Sequence, residues 1–320
     1  MNDAHTATPW ERQTIETLLL TELRERRAAR RWRIFRTLLW MLLLALLIFS
    51  ATASTGKMGK EKPGSASAHT ALVRIEGIIM AGADASAENI LPALRNAMEN
   101  KNSRALMLLI NSPGGSPVQA GMIVDELRRL KKLHNKPIHA VAEDTCASAA
   151  YYIAAAADNI YVDKATLIGS IGVLINSFGF VDALGKLGIE RRLITAGDNK
   201  GFLDPFSPMS AEQLNYAQQL TGHIHQQFIN VVREGRGARL KESPDMFSGI
   251  IWTGEQSLPL GLADALGSKD SVARDVVKAE KIVDYTHKID FAERLARQLA
   301  ESISHASVGA AAALRTPQLQ

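Results

Sequence analysis

The chain has 320 residues, with 37 Lys and Arg against 33 Asp and Glu, and one cysteine. That length holds one large domain or two small ones, and 46% hydrophobic with 22% charged residues excludes wholesale disorder. A single cysteine, Cys146, excludes an intramolecular disulfide and any zinc site built on clustered cysteines.

The basic excess is local. Residues 1–36 carry eight Arg and five acidic residues, which leaves 29 basic and 28 acidic residues for the other 284. Nucleic-acid binding would need a basic face on the body itself, and this balance argues against one. Thr37 to Gly56 is then a charge-free run of 20 residues, almost unbroken Leu, Ile, Met and Trp from Leu38 to Phe49. Twenty helical residues rise about 30 Å, the thickness of a bilayer core. Seven Arg lie between Arg24 and Arg36, so the positive-inside rule places the N-terminus in the cytoplasm and the long C-terminal part across the membrane. The 36 preceding residues favour an uncleaved anchor over a signal peptide, although Ala51, Ala53 and Ser54 leave cleavage open. The resulting organisation is a cytoplasmic basic segment (1–36), a transmembrane helix (37–56), a small polar linker (57–70), a main domain (71–283), and a C-terminal helix and tail (284–320).

Within the main domain, 71–80 reads as a strand and 86–100 as a helix through Ile90, Leu91, Leu94 and Ala97. Residues 104–110 are a short apolar run suited to a buried parallel strand. A helix over 117–133 follows, with Ala120, Ile123, Val124, Leu127 and Leu130 on one face. The pattern then predicts a strand at 137–143, a small-residue helix at 148–157, and strands at 159–162, 171–175 and 190–195. Long helical spacing covers 210–234, and 289–303 has i, i+4 apolar spacing. Alternating strands and helices argue an α/β domain with mostly parallel strands.

Three segments offer chemistry. Asn111-Ser-Pro-Gly-Gly115 lies between an apolar strand and a helix, where glycines let backbone N–H groups approach a ligand, although most such turns are only turns. Ser148 follows a strand and opens a helix; it is either a nucleophile favoured by the helix dipole and the free N–H of Ala149, or simply an N-cap. Cys146, two residues upstream in a small-residue run, reads as a buried filler. A serine nucleophile needs a base, and no His lies between Ser148 and His223. Lys200, in a Gly-flanked loop, is another candidate. A lysine is a base only when neutral, and bringing an amine from about 10.4 to near 7 costs roughly 4–5 kcal/mol. His223 and His225 are two apart on a helix and so are poor partners for a metal. Asp158, Asp163 and Asp264 read as caps or turn residues.

In this order the segments resemble the signal peptide peptidase A family of serine peptidases, over about residues 71–283. The resemblance rests on Asn111-Ser-Pro-Gly-Gly115, Ser148 with Tyr151-Tyr152 and Ala154–Asp158, Gly169-Ser-Ile-Gly-Val173, Lys200 before Pro205-Phe-Ser-Pro-Met209, Thr253-Gly254 and Gly261-Leu-Ala-Asp-Ala-Leu-Gly267. It implies a Clp protease/crotonase-like fold of repeated ββα units, in a single-repeat member. It also implies a Ser–Lys dyad without cofactor or metal: Ser148 as nucleophile, Lys200 as general base, Ser170 bonded to the lysine, and Gly114 or Gly115 with the Ala149 N–H as oxyanion hole. Family members form membrane-tethered rings in the bacterial cell membrane, in which Ser and Lys can come from neighbouring subunits. The substrates it implies are remnant signal peptides and other unfolded chains. Ala149-Ala150 departs from the family's usual Gly-Gly. A non-catalytic membrane scaffold and a crotonase-type acyl-CoA enzyme are the alternatives on the same fold.

Overall fold

The computed structural model describes residues 30–43 and 67–287. The chain divides into two compact units, Met1–Lys62 and Pro63–Gln320. In the first, residues 30–43 are helical (α1) and exposed, with Arg30, Arg31, Arg33 and Arg36 followed by the apolar residues Leu38 to Leu43. Among the described residues no helix is long and apolar enough to cross a membrane. The expected span 37–56 extends past residue 43, so its larger part lies outside the described residues, as do most of the linker and the expected helix at 289–303.

The second unit is built on a mixed sheet. Its strands are β1 (His69–Glu76), β2 (Ser103–Ser112), β3 (Ile138–Ala147), β4 (Asn159–Val162), β5 (Leu167–Gly169), β6 (Ile251–Thr253), β7 (Ala265–Leu266) and β8 (Ile282–Asp284). The helices are α2 (Ala87–Glu99), α3 (Pro117–His134), α4 (Ala149–Ala154), α5 (Val181–Lys186), α6 (Ala211–Arg236), α7 (Gly254–Ser257) and α8 (Lys269–Ser271). The sheet order is β6-β5-β3-β2-β1-β8, with β4 on β3 and β7 on β4. Every pairing is parallel except β5 with β6. From β1 to α4 strand and helix simply alternate. Ile79 after β1 and Gly115 after β2 form a single parallel bridge before α2 and α3 begin.

The central strands are continuous apolar runs because both faces are covered. On β2, Leu106, Leu108 and Ile110 pack with Ile90, Leu94, Ile123, Leu127, Tyr151 and Phe228 on the helical side. Met107 and Leu109, pointing the other way, pack with Leu72, Val141, Tyr161 and Val272. α3 starts where Ser116 caps the Gln119 N–H and Pro117 takes the first helical position, and it stops at Asn135 in the left-handed conformation. β1 begins at buried His69, whose Nε2 lies 2.9 Å from the Tyr285 hydroxyl and ties the first strand to the chain after β8.

Two expected strands are absent. Instead of 171–175, the strand is Leu167–Gly169, and residues 171–180 have no regular structure. Ser170, at φ 49°, turns the chain out of the sheet while its N–H donates to the Ile250 carbonyl at 2.9 Å. Leu174 is consequently 81% exposed. Residues 190–195 are irregular as well, and Ile194 is 95% exposed. A strand forms only where a neighbouring strand can pair with it, and neither segment has a sheet partner among the described residues. The expected helix 148–157 is shortened to α4.

Candidate active site

The site is assembled where β2 and β3 end. Their register shifts between Ile110 and Ser112, so that Ser112 faces Cys146. Asn111 secures the shift: its Oδ1 accepts from the Thr145 N–H at 3.3 Å and its Nδ2 donates to Asp144 at 3.1 Å. β3 pairs with β4 through His139–Val141 and with β5 through Thr145–Ala147, so its last three residues are held by β5 on one side and, at Cys146, by β2 on the other. Ser148 follows them at φ 54°, ψ −125°, a region that L-residues rarely occupy, and its side chain makes no capping hydrogen bond to α4. The hydroxyl is therefore left free by the helix it opens. The backbone is fixed, with the Ser148 N–H donating to Gly169 O at 2.9 Å and the Tyr152 N–H donating to Ser148 O at 3.0 Å.

Gly114 lies directly behind this serine. A Cβ there would fall 2.7 Å from Ser148 Cβ and 2.9 Å from the Ala149 nitrogen, and its φ is +102°. The Gly114 N–H is taken by Ser112 Oγ at 3.1 Å. Gly115 is pressed against Ile79, whose carbonyl oxygen would be 2.2 Å from an added Cβ. The N–H groups of Gly115 and of Ala149, the first residue of α4, make no hydrogen bond among the described residues.

Ser148, Gly115, Ala149 and Ser170 line one cavity of about 580 Å³. Tyr152 and Phe228, with ring centroids 5.2 Å apart, contribute an aromatic wall, and Val173, Leu174, Ile224 and Gln227 extend it. His225 Nε2 lies 3.1 Å from Ile171 O, joining α6 to the segment that carries Ser170. Lys200 is elsewhere. It is exposed in a turn where its N–H donates to Gly197 O at 3.1 Å, and it is not among the residues lining the cavity. Its neighbours Asn199 and Phe202 border a separate groove of about 440 Å³ against the start of α6.

The sequence profile of peptidase family S49 matches residues 130–283. A Brucella abortus protein named Na(+)/H(+) antiporter NhaA is 42% identical over 208 residues, which are 63% of this chain and 28% of that protein. An Enterococcus faecium protein, provisionally named signal peptide peptidase SppA, is 31% identical over 199 residues, 62% of this chain and 58% of its own length. A Synechocystis protein, provisionally named a protease, is 31% identical over 202 residues, 62% of this chain and 70% of its own. The chain belongs to peptidase family S49, the signal peptide peptidase A family. It spans less than two thirds of the Brucella and Enterococcus proteins.

Around this cavity in the S49 chain, several polar groups serve to hold the fold together. Cys146 is fully buried, and burial pushes its thiol pKa up. The Tyr151 hydroxyl donates to Leu262 O at 2.9 Å beneath α4. Asp163 is a turn residue, accepting from the Ala165 N–H at 3.0 Å. Asp158 accepts from Lys131 and from the Ile138 N–H, and so joins α3 to the start of β3. Asp264 is not a cap or turn residue. It takes both terminal nitrogens of Arg236, at 2.9 and 2.8 Å, together with the Ile160 N–H at 2.7 Å. Burial opposes the Asp264 charge, but these bonds and Arg239 hold its carboxyl below the usual range. Arg236 is fully buried and also donates to Gly261 O at 2.8 Å, so the pair fastens the end of α6, and with it the Phe228 wall, to the sheet. Neither Asn111 nor Arg236 could be given these roles from the sequence, because both depend on partners more than 20 residues away.

Proposed function

We propose that this chain is a membrane-anchored serine endopeptidase. The observation that carries the reading is Ser148, held in a strained strand-to-helix turn with an uncapped hydroxyl, on one cavity with the unengaged N–H groups of Gly115 and Ala149. A nucleophile beside two backbone donors is the arrangement that acyl transfer needs. Ser148 Oγ attacks the peptide carbonyl, its proton passes to a neutral Lys200 amine, and the developing oxyanion is bound by the Gly115 and Ala149 N–H groups. Collapse of the tetrahedral intermediate expels the amine, which takes the proton from Lys200. Water, deprotonated by the same lysine, then releases the acyl group. The Ser170 hydroxyl orients the lysine. Gly114, with its own N–H already bonded, serves by letting Ser148 approach rather than by donating.

Lys200 reaches a serine by assembly. It sits on an arm that exposes Leu174, Phe178, Leu187 and Ile194, and the first half of α6 exposes Leu214, Tyr216 and Leu220. A second copy covers this apolar surface in a ring and supplies Lys200 to its neighbour's Ser148. The apolar 37–56 segment anchors the ring, with the N-terminus cytoplasmic and the peptidase domain across the bacterial cell membrane. Remnant signal peptides and other unfolded chains are the substrates, consistent with the apolar wall of the cavity.

The test is cleavage of unfolded casein and of a synthetic signal peptide by the detergent-solubilised protein. Ser148→Ala and Lys200→Ala abolish cleavage, Cys146→Ala retains it, and mixed rings of the first two variants regain it. A wild-type protein inert on both substrates, with the variants assembling as it does, turns the reading to a non-catalytic scaffold.

A further inference from the structure

The loop that carries Lys200 is closed at its base. Arg191 follows α5 in sequence, and its Nη2 donates to Asp204 Oδ2 at 3.4 Å across 13 positions of chain. The same carboxylate accepts from Ser207 Oγ at 2.6 Å and from the Phe206 N–H at 3.4 Å. The Asp204 N–H returns to Gly201 O at 3.1 Å. Asp204 thus joins the segment after α5 and the approach to α6 through its side chain, and the turn that carries Lys200 through its backbone. Its side chain is 14% exposed in a region whose other residues are largely exposed.

The surroundings reinforce this closure. Leu203 is at φ 61°, a left-handed conformation that costs a non-glycine residue and persists where neighbours impose it. Pro205 O accepts from the Phe180 N–H at 2.7 Å, and the Phe180 and Phe206 rings stack at 5.6 Å. Inside the loop, Lys200 N–H to Gly197 O and Phe202 N–H to Asn199 O form successive turns. The Lys200 side chain makes no hydrogen bond or ion pair with another described residue. Where its amine stands is therefore set by the loop's backbone, and that backbone is set by the Asp204 contacts. The Ser207 hydroxyl, the Phe206 N–H and Arg191 hold the Asp204 carboxyl below its ordinary range despite partial burial, so the closure is charged across the neutral range.

We propose that Asp204 is a positioning residue that, through Arg191 and Ser207, closes the Lys200 loop and fixes where the lysine amine is presented to a reacting serine. This rests on the reading of Lys200 as the general base. No core residue lies in the loop, so its loss changes the lysine's placement rather than the fold.

The experiment uses the full chain in detergent and two readouts. The first is steady-state hydrolysis of a synthetic signal peptide by wild type, Lys200→Ala, Asp204→Ala, Asp204→Asn and Arg191→Ala. The second is the rate of Lys200 acetylation by an N-hydroxysuccinimide acetate, resolved by peptide mass mapping, with exposed Lys164 as internal reference. Asp204→Ala lowers kcat about 10- to 100-fold, as expected for a misplaced catalytic group, with KM within about two-fold. It changes the Lys200 acetylation rate and leaves that of Lys164 alone. Asp204→Asn, which keeps an oxygen for Ser207 and Phe206, recovers most of the rate, and Arg191→Ala shows a smaller loss. Wild-type kcat in Asp204→Ala, beside an inactive Lys200→Ala, overturns the positioning role and spares the base. A lowered kcat with unchanged Lys200 labelling also overturns it. An active Lys200→Ala overturns the base assignment itself.

Discussion

Gly114 and Ser148 touch through a space that holds no side chain: a Cβ on the glycine would stand 2.7 Å from the serine Cβ and 2.7 Å from Ala147 O. Gly114→Ala therefore displaces the serine or the β2 turn, and the φ of +102° adds strain. Peptide hydrolysis falls about 100-fold or more, the scale set by losing one oxyanion donor. Wild-type kcat in this variant would show that the two turns can separate at no cost to chemistry.

Ser148 itself is held at φ 54°, ψ −125°. Such conformations cost of order 1–3 kcal/mol in a residue with a Cβ. Ser148→Gly and Ser148→Ala are both inactive, but the glycine variant relieves the strain. Its melting midpoint lies above that of the alanine variant by about 2–4 °C for each kcal/mol relieved, read by differential scanning calorimetry. Equal midpoints would mean that the turn is not strained.

Ala149 lines the cavity next to the nucleophile and begins α4. Ala149→Gly keeps the N–H and removes the methyl group. It broadens the residues accepted at the cleavage site, measured on a peptide library, and destabilises the protein by about 0.5–1 kcal/mol through helix entropy. An unchanged cleavage profile would show that the methyl group does not shape specificity.

Cys146 is buried and its thiol stays protonated at neutral pH. Iodoacetamide leaves peptidase activity at the untreated level, and Cys146→Ala costs stability of about 1 kcal/mol without lowering kcat. Rapid inactivation by the reagent would contradict the burial.

Glu126 joins α2 to α3, bonded by Arg129 at 2.7 and 2.8 Å and by Arg95 at 2.5 Å. The Arg129 bond is the largest influence; burial works against it, Arg95 adds to it, and the carboxyl is lowered from 4.5 to about 2. A folded-state value below the unfolded one gives stability that is present above about 4.5 and is lost as pH falls towards about 2. Wild type accordingly loses more stability than Glu126→Gln over that window in urea titrations, and parallel losses would refute the link.

The order of strands and helices from β1 to α4, and the span of α6, could be read from the sequence because each rests on local periodicity and on turn residues. Gly114, Gly115 and Ser148 stood out for the same reason: glycines and a serine at strand-to-helix junctions carry a local signal, whereas Ser170 was singled out only by the family resemblance. Tertiary structure alone decided three things. It showed that the Ser148 hydroxyl is uncapped and that the Gly114 N–H is already bonded to Ser112 Oγ, since both depend on backbone angles and side-chain rotamers that residue type does not fix. It left 171–175 and 190–195 outside the sheet, since a strand needs a neighbouring edge and an apolar run does not reveal whether one exists. It also placed Lys200 on an exposed loop away from the Ser148 cavity, closed by Arg191 and Asp204, because spacing along a chain carries no information about which loop faces which pocket.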